Sequence, residues 1–308
     1  MTDPITLTSD ALRATFSPHG ARLETLHYMG GPSLVLHADP AKYPDWRAVY
    51  PGAIVGPVAN RVRGGHVPIG GQDFQMPCNE NGVTALHSGP DGLDQRIWQV
   101  AQHSASAVQF NIRLAAGDGG LPGARAITVD YRLDDATVSL DIAAETDAAT
   151  PINIAHHPYW RLGDATAHRL QINAAHYLPI DARNLPTGEI APVAGTEFDH
   201  RTPRVPDPGV DHSFCIARAR RGSPHPVATL TGTDGLTLQI DSTAPGLQVY
   251  AGGFLPDLPG TGIKPGAGIA LEPQDWPDAV NNPEFPDTLC MPGRPYRQIT
   301  RYRLFRAT

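Results

Sequence analysis

Cysteine and long apolar runs are scarce in this chain of 308 residues. It has three cysteines, Cys78, Cys215 and Cys290, and an odd number without metal-site spacing argues against both a disulfide framework and a zinc site. We therefore expect three buried or incidental thiols. No run of about 18 apolar residues occurs, so the sequence offers no candidate for a transmembrane helix.

Positive charge is also limited. The 24 lysines and arginines are outnumbered by 31 acidic residues, which gives a formal charge of −7 at pH 7. No basic run could follow a phosphate backbone, and the first six residues lack the basic start and apolar stretch of a signal peptide. We expect a cytoplasmic protein that binds neither nucleic acid nor membrane and whose substrate is a neutral or weakly charged small molecule.

Turn residues, by contrast, are abundant, with 31 glycines and 31 prolines. Between them lie short runs in which apolar and polar residues alternate, such as Ile127–Leu133 and Val138–Ile142, which predict a hairpin. Similar runs occur at 236–240, 247–250 and 299–304, and helical periodicity is rare. We predict a single all-β domain over residues 1–308, built as a large antiparallel sandwich of two packed sheets with a groove on one face.

The segment 151–160 is the most informative stretch. On a strand, neighbouring side chains point to opposite faces. One face then carries Ile152, Ile154 and His156, and the other carries Asn153, His157 and Tyr159. The second set could line a site, with His157 as a proton donor and Tyr159 beside it, whereas His156 on the isoleucine face is interpreted as structural.

A second strand-like segment, 268–274, repeats this logic. Ile269 and Leu271 would face a core, while Glu272 and Gln274 would face away. Pro273 cannot donate to a ladder, so it favours an edge position or a strand end. Glu272 is therefore either a functional acid or a solvated glutamate on an edge strand.

Further polar groups could converge on Glu272. A hairpin between 247–250 and the strand of Glu272 would bring Gln248 or Tyr250 near it. Three segments that read as loops add donors and acceptors, because loops on rigid sheets often carry sites. These are 58–61 with Asn60 and Arg61, 85–89 with His87, and 210–214 with Asp211.

A histidine and a glutamate facing one groove, with hydroxyl partners around them, fit the exchange of sugar anomers. Glu272 would take the proton of the C1 hydroxyl, and His157 would protonate the ring oxygen. Each positioned proton transfer accelerates a reaction by about 10²–10⁴, and no cofactor or metal is required. We expect a bell-shaped pH profile, with His157 protonated and Glu272 ionised near neutral pH.

The motifs resemble those of the aldose 1-epimerase (galactose mutarotase) family, from Gly52 almost to the C-terminus. They occur in family order at residues 56–62, 86–89, 120–123, 153–160, 185–189, 195–199, 211–214, 248–250, 271–281 and 292–296. The run 153–160 is similar to the family's Asn-x-Thr-x-His-Ser-Tyr-Phe, and 271–281 to its Leu-Glu-x-Gln-x-x-Pro-Asp-x-x-Asn.

The resemblance implies a β-supersandwich in which His157 takes the position of the family's acid and Glu272 that of its base. It also implies a set of residues that hold sugar hydroxyls, namely Asn60, Arg61, His87, Asp211 and Gln248. The chain departs from the family pattern at Pro57, Ser88 and Pro273, which leaves the preferred aldose open.

Three other functions remain open at this point. A glycosidase could use Asp211 and Glu272 as its two carboxylates. A sugar-phosphate epimerase would need clustered arginines, for which Arg61, Arg63 and Arg96 are candidates. A non-catalytic sugar-binding protein could share the fold. The oligomeric state is not predicted.

Overall fold

The computed structural model describes residues 4–37 and 39–306, and strands dominate this part of the chain. Its helical segments are α1 Tyr43–Trp46 and the 3-10 turns Pro40–Lys42, Arg47–Val49, Leu93–Gln95, Asp118–Gly120, Ala165–Ala167 and Ala279–Asn281. None of the described helices has the length and apolar character needed to cross a membrane. The prediction of an all-β fold is confirmed.

The described residues form 25 strands. The first are β1 Ile5–Thr8, β2 Leu12–Ser17, β3 Arg22–Tyr28, β4 Ile54–Val55, β5 Arg61–Arg63, β6 His66–Ile69, β7 Gln72–Gln75, β8 Thr84–Leu86, β9 Gln99–His103, β10 Ala107–Leu114, β11 Arg125–Asp134, β12 Thr137–Thr146 and β13 Thr150–Pro151. The others are β14 Ala155–His156, β15 Tyr159–Trp160, β16 Arg169–Ile172, β17 His176–Leu178, β18 Ala191–Pro192, β19 Asp211–Cys215, β20 His225–Thr231, β21 Leu236–Ser242, β22 Gly246–Tyr250, β23 Ile269–Gln274, β24 Leu289–Cys290 and β25 Tyr296–Arg306.

Two large antiparallel sheets form the sandwich. The larger has eight strands in the order β16-β20-β21-β25-β12-β11-β10-β9, and the smaller has six in the order β15-β23-β22-β19-β17-β18. A three-stranded sheet, β1-β2-β3, and several two-stranded pairs complete the described fold. The predicted architecture of two packed sheets is thus confirmed.

The predicted hairpin is the centre of the larger sheet. β11 and β12 pair without a register shift, and Leu133 lies opposite Val138 close to the turn. Along β11 the side chains of Ile127, Val129 and Tyr131 are buried, whereas the residues between them are more exposed. This alternation gives the strand one face for the core and one for solvent.

The main core lies between the two large sheets. Its members include Val129 and Leu140 from the larger sheet and Phe214, Val249 and Leu271 from the smaller. Because these residues point inward, their neighbours in sequence on the smaller sheet point outward. The outer face of the six-stranded sheet is therefore free to carry polar side chains.

The three cysteines are free thiols, as the sequence analysis expected. Cys290 is buried, and Cys78 and Cys215 are half-buried. Burial raises the pKa of the Cys215 thiol to about 12, so this group stays protonated and unreactive at neutral pH.

Candidate active site

A cleft of about 300 Å³ opens on the outer face of the six-stranded sheet. The structure brings all eight predicted site residues to its lining: Asn60, Arg61, His87, His157, Tyr159, Asp211, Gln248 and Glu272. Its other lining residues are Ala48, Tyr50, Glu80, Leu86, Asn184, Tyr250 and Phe254. The eight predicted residues come from six separate stretches of the chain and meet in one place.

Strands β22 and β23 form the floor of this cleft. The predicted pairing of these strands is confirmed, and of the two candidates Gln248 and Tyr250 it is Gln248 that lies directly opposite Glu272. Residues Leu247 and Leu271 on these strands are fully buried in the core. The alternation then turns Gln248 and Glu272 to the opposite, cleft-facing side.

The interpretation of Glu272 as a solvated residue on an edge strand is wrong. Its side chain is only 3% exposed, and β23 lies between β15 and β22. Pro273 is tolerated because it is the second-last residue of β23, and because β15 pairs only with Ile269 and Ala270. The proline marks a strand end, which the sequence analysis also allowed.

The two adjacent histidines point in opposite directions, as strand alternation predicts. His157 faces the cleft, and its Nε2 lies 3.5 Å from Oε1 of Glu272. His156 faces the core, where it is 1% exposed and its Nδ1 lies 3.2 Å from the hydroxyl of Tyr302. The backbone N–H of His157 donates to Ala53 O at 2.9 Å and helps to hold the strand in this register.

Asn153 shares the face of His157 but does not line the cleft. Its Oδ1 accepts a hydrogen bond of 2.8 Å from the backbone N–H of Asp275, just after β23. Its own backbone donates to Pro57 O at 2.7 Å and accepts from Ala59 N at 2.6 Å. This buried amide ties the strand of His157 to the strand of Glu272 rather than contacting a ligand.

Asn60 and His87 hold each other in place. The backbone N–H of His87 donates to Asn60 O at 3.0 Å, and the backbone N–H of Asn60 donates to His87 Nδ1 at 3.1 Å. Both residues have left-handed backbone angles, with φ of 62° and 50°. Such conformations cost about 1–3 kcal/mol and are concentrated at functional sites.

This contact also fixes the tautomer of His87. Burial, followed by the nearby charges of His157 and Arg61, holds the pKa of His87 well below its usual value, so the ring is neutral. Because Nδ1 accepts a hydrogen bond, the ring proton lies on Nε2. His87 is thus a neutral hydrogen-bond donor in the cleft lining.

Arg61 is the centre of a chain of polar contacts. It makes a two-point pair with Glu80, in which Nε lies 2.9 Å from Oε2 and Nη2 lies 3.0 Å from Oε1. Its Nη1 lies 3.5 Å from Asp211 Oδ2. Gln248 donates to the other carboxylate oxygen of Asp211 at 2.7 Å. The contacts connect the cleft wall to the strand beside Glu272.

Aromatic rings surround His157. Its ring centroid lies 5.0 Å from that of Tyr159, 5.5 Å from that of His87 and 5.8 Å from that of Tyr50. The hydroxyl of Tyr159 donates to Val49 O at 3.0 Å, so its proton is already used. Tyr159 therefore offers the cleft a ring and an oxygen lone pair rather than a donor.

Burial shifts both members of the His157–Glu272 pair toward their neutral forms. It raises the pKa of Glu272 well above its usual value, with the charge of Asp211 adding to the effect. It lowers the pKa of His157 to about 4. Burial therefore opposes the predicted form of the pair, a protonated histidine beside an ionised glutamate, because desolvation penalises each charge.

The pair nevertheless holds one proton in either arrangement. A neutral histidine beside a protonated glutamate and an imidazolium beside a carboxylate differ only in where that proton lies. Within the described structure, Glu272 Oε2 and His157 Nδ1 are buried without a hydrogen-bond partner. Because these two atoms border the cleft, they are available to exchange protons with a bound molecule.

Five lining residues were not predicted from the sequence: Ala48, Tyr50, Glu80, Asn184 and Phe254. Each lies outside the strands, where no alternation marks a side chain as cleft-facing. Phe254 is 72% exposed, and Tyr50 has a left-handed φ of 58°. The left-handed backbone of Tyr50 marks a candidate site residue, and the sequence does not predict that conformation.

The segment of Asp211 was expected to be a loop but is strand β19. It pairs with β22 so that Asp211 lies opposite Tyr250 and Ser213 lies opposite Gln248. The strand pattern is weak in the sequence because the polar His212 shares a face with the buried Phe214.

Comparisons with known proteins show the family of this chain. A family model described as aldose 1-epimerase matches residues 3–303. Aldose 1-epimerase of Escherichia coli K12 is 34% identical over 288 residues, which cover 86% of this chain and 83% of that protein. Galactose mutarotase of Homo sapiens is 35% identical over 272 residues, which cover 82% of this chain and 78% of that protein.

Solved structures show the same fold. An aldose epimerase homologue from C. elegans superposes with a TM-score of 0.92 at 28% identity and covers 100% of both chains. Galactose 1-epimerase from Lactobacillus acidophilus superposes with a TM-score of 0.87 at 27% identity, covering 99% of this chain and 95% of that one.

Proposed function

This chain belongs to the aldose 1-epimerase family, and we propose that it interconverts the α and β anomers of a free aldose with His157 as acid and Glu272 as base. It is an isomerase that acts on carbohydrates. The observation that carries the residue assignment is the 3.5 Å approach of His157 Nε2 to Glu272 Oε1 in a polar cleft.

The reaction begins with the imidazolium and carboxylate form of the pair. Glu272 takes the proton from the C1 hydroxyl while His157 gives its proton to the ring oxygen. The electrons of the O–H bond form the C1 carbonyl, and the bond between C1 and the ring oxygen breaks. Rotation about the C1–C2 bond presents the other face of the aldehyde, and the reverse proton transfers close the ring.

The pair carries one proton at every stage. During ring opening His157 gives its proton to the sugar and Glu272 receives one from the sugar. Both groups are then neutral, which is the arrangement that burial favours. The same desolvation therefore stabilises the pair when the open-chain sugar is bound, and makes the imidazolium a stronger acid and the carboxylate a stronger base.

The remaining cleft residues hold the sugar. His87 offers its Nε2–H as a neutral donor, and Asn60 is fixed beside it by the paired backbone contacts. Asp211 and Gln248, joined at 2.7 Å, can accept from and donate to vicinal hydroxyls. Arg61 retains donor capacity beside them. Tyr159 packs its ring on His157 and limits how the imidazole can turn.

The positions of the arginines favour a neutral sugar over a phosphorylated one. Arg63 donates to Pro186 O at 2.9 Å, and Arg96 lies 2.9 Å from Asp118; neither lines the cleft. Arg61 does line it, but two carboxylates already surround this guanidinium. The clustered free arginines that a sugar phosphate requires are not found among the described residues of the cleft.

Polarimetry on freshly dissolved α-anomers tests the function. The wild type should accelerate the decay of optical rotation for neutral aldoses, and the ranking of the sugars identifies the preferred one. Hexose 6-phosphates should be poor substrates. Acceleration of phosphorylated sugars alone would contradict the assignment of a neutral substrate.

Two further proposals concern the whole chain. The match of the family model over residues 3–303 supports our proposal of one domain over residues 1–308. A cytoplasmic location remains a prediction from the sequence.

A further inference from the structure

Glu80 lines the cleft but has no part in the acid–base reaction. Its carboxylate binds the Arg61 guanidinium at two points, at 2.9 Å and 3.0 Å. The side chains are only 29% and 12% exposed, so water screens their charges weakly. Glu80 therefore both orients Arg61 and occupies the edge of the guanidinium that would otherwise receive an anion.

The chain holds Glu80 in this position through a short hairpin. Asn79 clamps the base of the hairpin, donating to Leu86 O at 3.1 Å and accepting from Leu86 N at 2.8 Å. Leu86 is paired with Arg61 in the two-stranded sheet β5–β8. Within the turn, the backbone N–H of Glu80 donates to Thr84 O at 3.1 Å. The carboxylate is thus supported by the strand adjacent to its arginine.

The charge of the cleft makes this pairing important. Its carboxylate and guanidinium side chains are those of Arg61, Glu80, Asp211 and Glu272, and burial favours the neutral form of Glu272. Arg61 is therefore the single permanent cation among the described residues there. A further arginine, Arg47, lines the adjoining cavity and donates to Pro90 O at 3.2 Å. An anionic sugar would therefore meet acidic groups without a free cation to compensate.

We propose that Glu80 is a specificity-determining residue that restricts this enzyme to uncharged aldoses. By occupying Arg61, it prevents the guanidinium from binding the carboxylate of a hexuronate or the phosphate of a hexose phosphate. An unpaired arginine in the same place would be a strong two-point binder of either group. This inference rests on the aldose 1-epimerase activity proposed above.

A pair of substrates that differ only at C6, a hydroxymethyl group in one and a carboxylate in the other, tests the proposal. A neutral hexose and the corresponding hexuronate both have a free anomeric centre, so polarimetry gives kcat/KM for each. The wild type should strongly favour the hexose. In Glu80→Gln, the ratio of kcat/KM for hexuronate to that for hexose should rise by about tenfold or more, because one negative charge is removed and the Arg61 edge is released.

Two control variants separate charge from position. Glu80→Asp keeps the charge with a shorter reach, so activity can fall while the hexuronate-to-hexose ratio stays low. Asp118→Asn removes the same charge from the Arg96 pair outside the cleft, whose side chains are 33% and 23% exposed, and should leave the ratio unchanged.

Ionic strength provides a check that needs no variant. Because the discrimination is electrostatic, raising the salt concentration should increase the wild-type ratio, whereas a purely steric exclusion would not respond. An unchanged ratio in Glu80→Gln, or an equal rise in Asp118→Asn, would overturn the proposal. If the wild type accelerates neither sugar, the proposed function fails instead, so the two failures are distinguishable.

Discussion

Replacement of the two adjacent histidines should separate catalysis from stability. His157 faces the cleft beside Glu272. His156 packs in the core, where its ring centroid lies 5.6 Å from that of Tyr131 and 5.7 Å from that of Tyr302. The two residues are neighbours in sequence and both are nearly fully buried. His156→Ala is therefore a matched control for His157→Ala.

The expected magnitudes follow from these surroundings. His157→Ala removes the proton donor and should lower kcat by about 10²–10⁴, or about 3–5 kcal/mol in the barrier. It should cost less stability than His156→Ala, because within the described structure His157 Nδ1 has no hydrogen-bond partner to lose. His156→Ala leaves a cavity and an unpaired Tyr302 hydroxyl, which should reduce the free energy of unfolding by about 2–4 kcal/mol.

Urea unfolding followed by circular dichroism measures stability, and polarimetry on the same samples measures turnover. The folded fraction of His156→Ala should retain kcat within a few-fold of wild type. Loss of turnover in His156→Ala with stability intact, together with an active His157→Ala, would refute the assignment of the two faces.

Two further predictions concern the pH dependence of activity and the contribution of Asn153 to stability. The pH profile of kcat/KM should be bell-shaped. On the acid side, activity falls when the pair binds a second proton at His157, whose pKa burial lowers to about 4. On the alkaline side, activity falls when Glu272 loses its proton, at a pKa that burial raises. Polarimetry across pH checks this, and an acid limb near 6.5, the usual value for histidine, would contradict it. Asn153→Ala leaves the buried N–H of Asp275 unpaired and should cost about 1–3 kcal/mol of stability by urea unfolding; an unchanged unfolding midpoint would refute that role.

Strand alternation was sufficient to predict much of the site. A sandwich gives each inner strand one face toward the core, so the apolar Ile269 and Leu271 fix the direction of Glu272. The same reasoning separated His157 from His156. The convergence of the loop residues on these strands was implied by the family resemblance rather than by any periodic pattern.

Other features of the site depend on turn geometry, backbone conformation and burial, which the sequence does not show. Glu80 belongs to a turn whose direction is set by the Asn79 clamp, and Tyr50 depends on a left-handed backbone that non-glycine residues rarely adopt. Strand β19 alternates weakly because the polar His212 shares a face with the buried Phe214. The protonation of His157 and Glu272 depends on how completely they are buried, which sequence does not report.

The most direct test of the central claim compares wild type with Glu272→Gln by polarimetry on a freshly dissolved α-aldose. Calorimetric titration with the same sugar would show whether binding is retained. The wild type should accelerate mutarotation, and the amide variant should bind the sugar but lose about 10²–10⁴ in rate, because it keeps the shape of the side chain without its basicity. Undiminished acceleration by Glu272→Gln would contradict the assignment of Glu272 as the base.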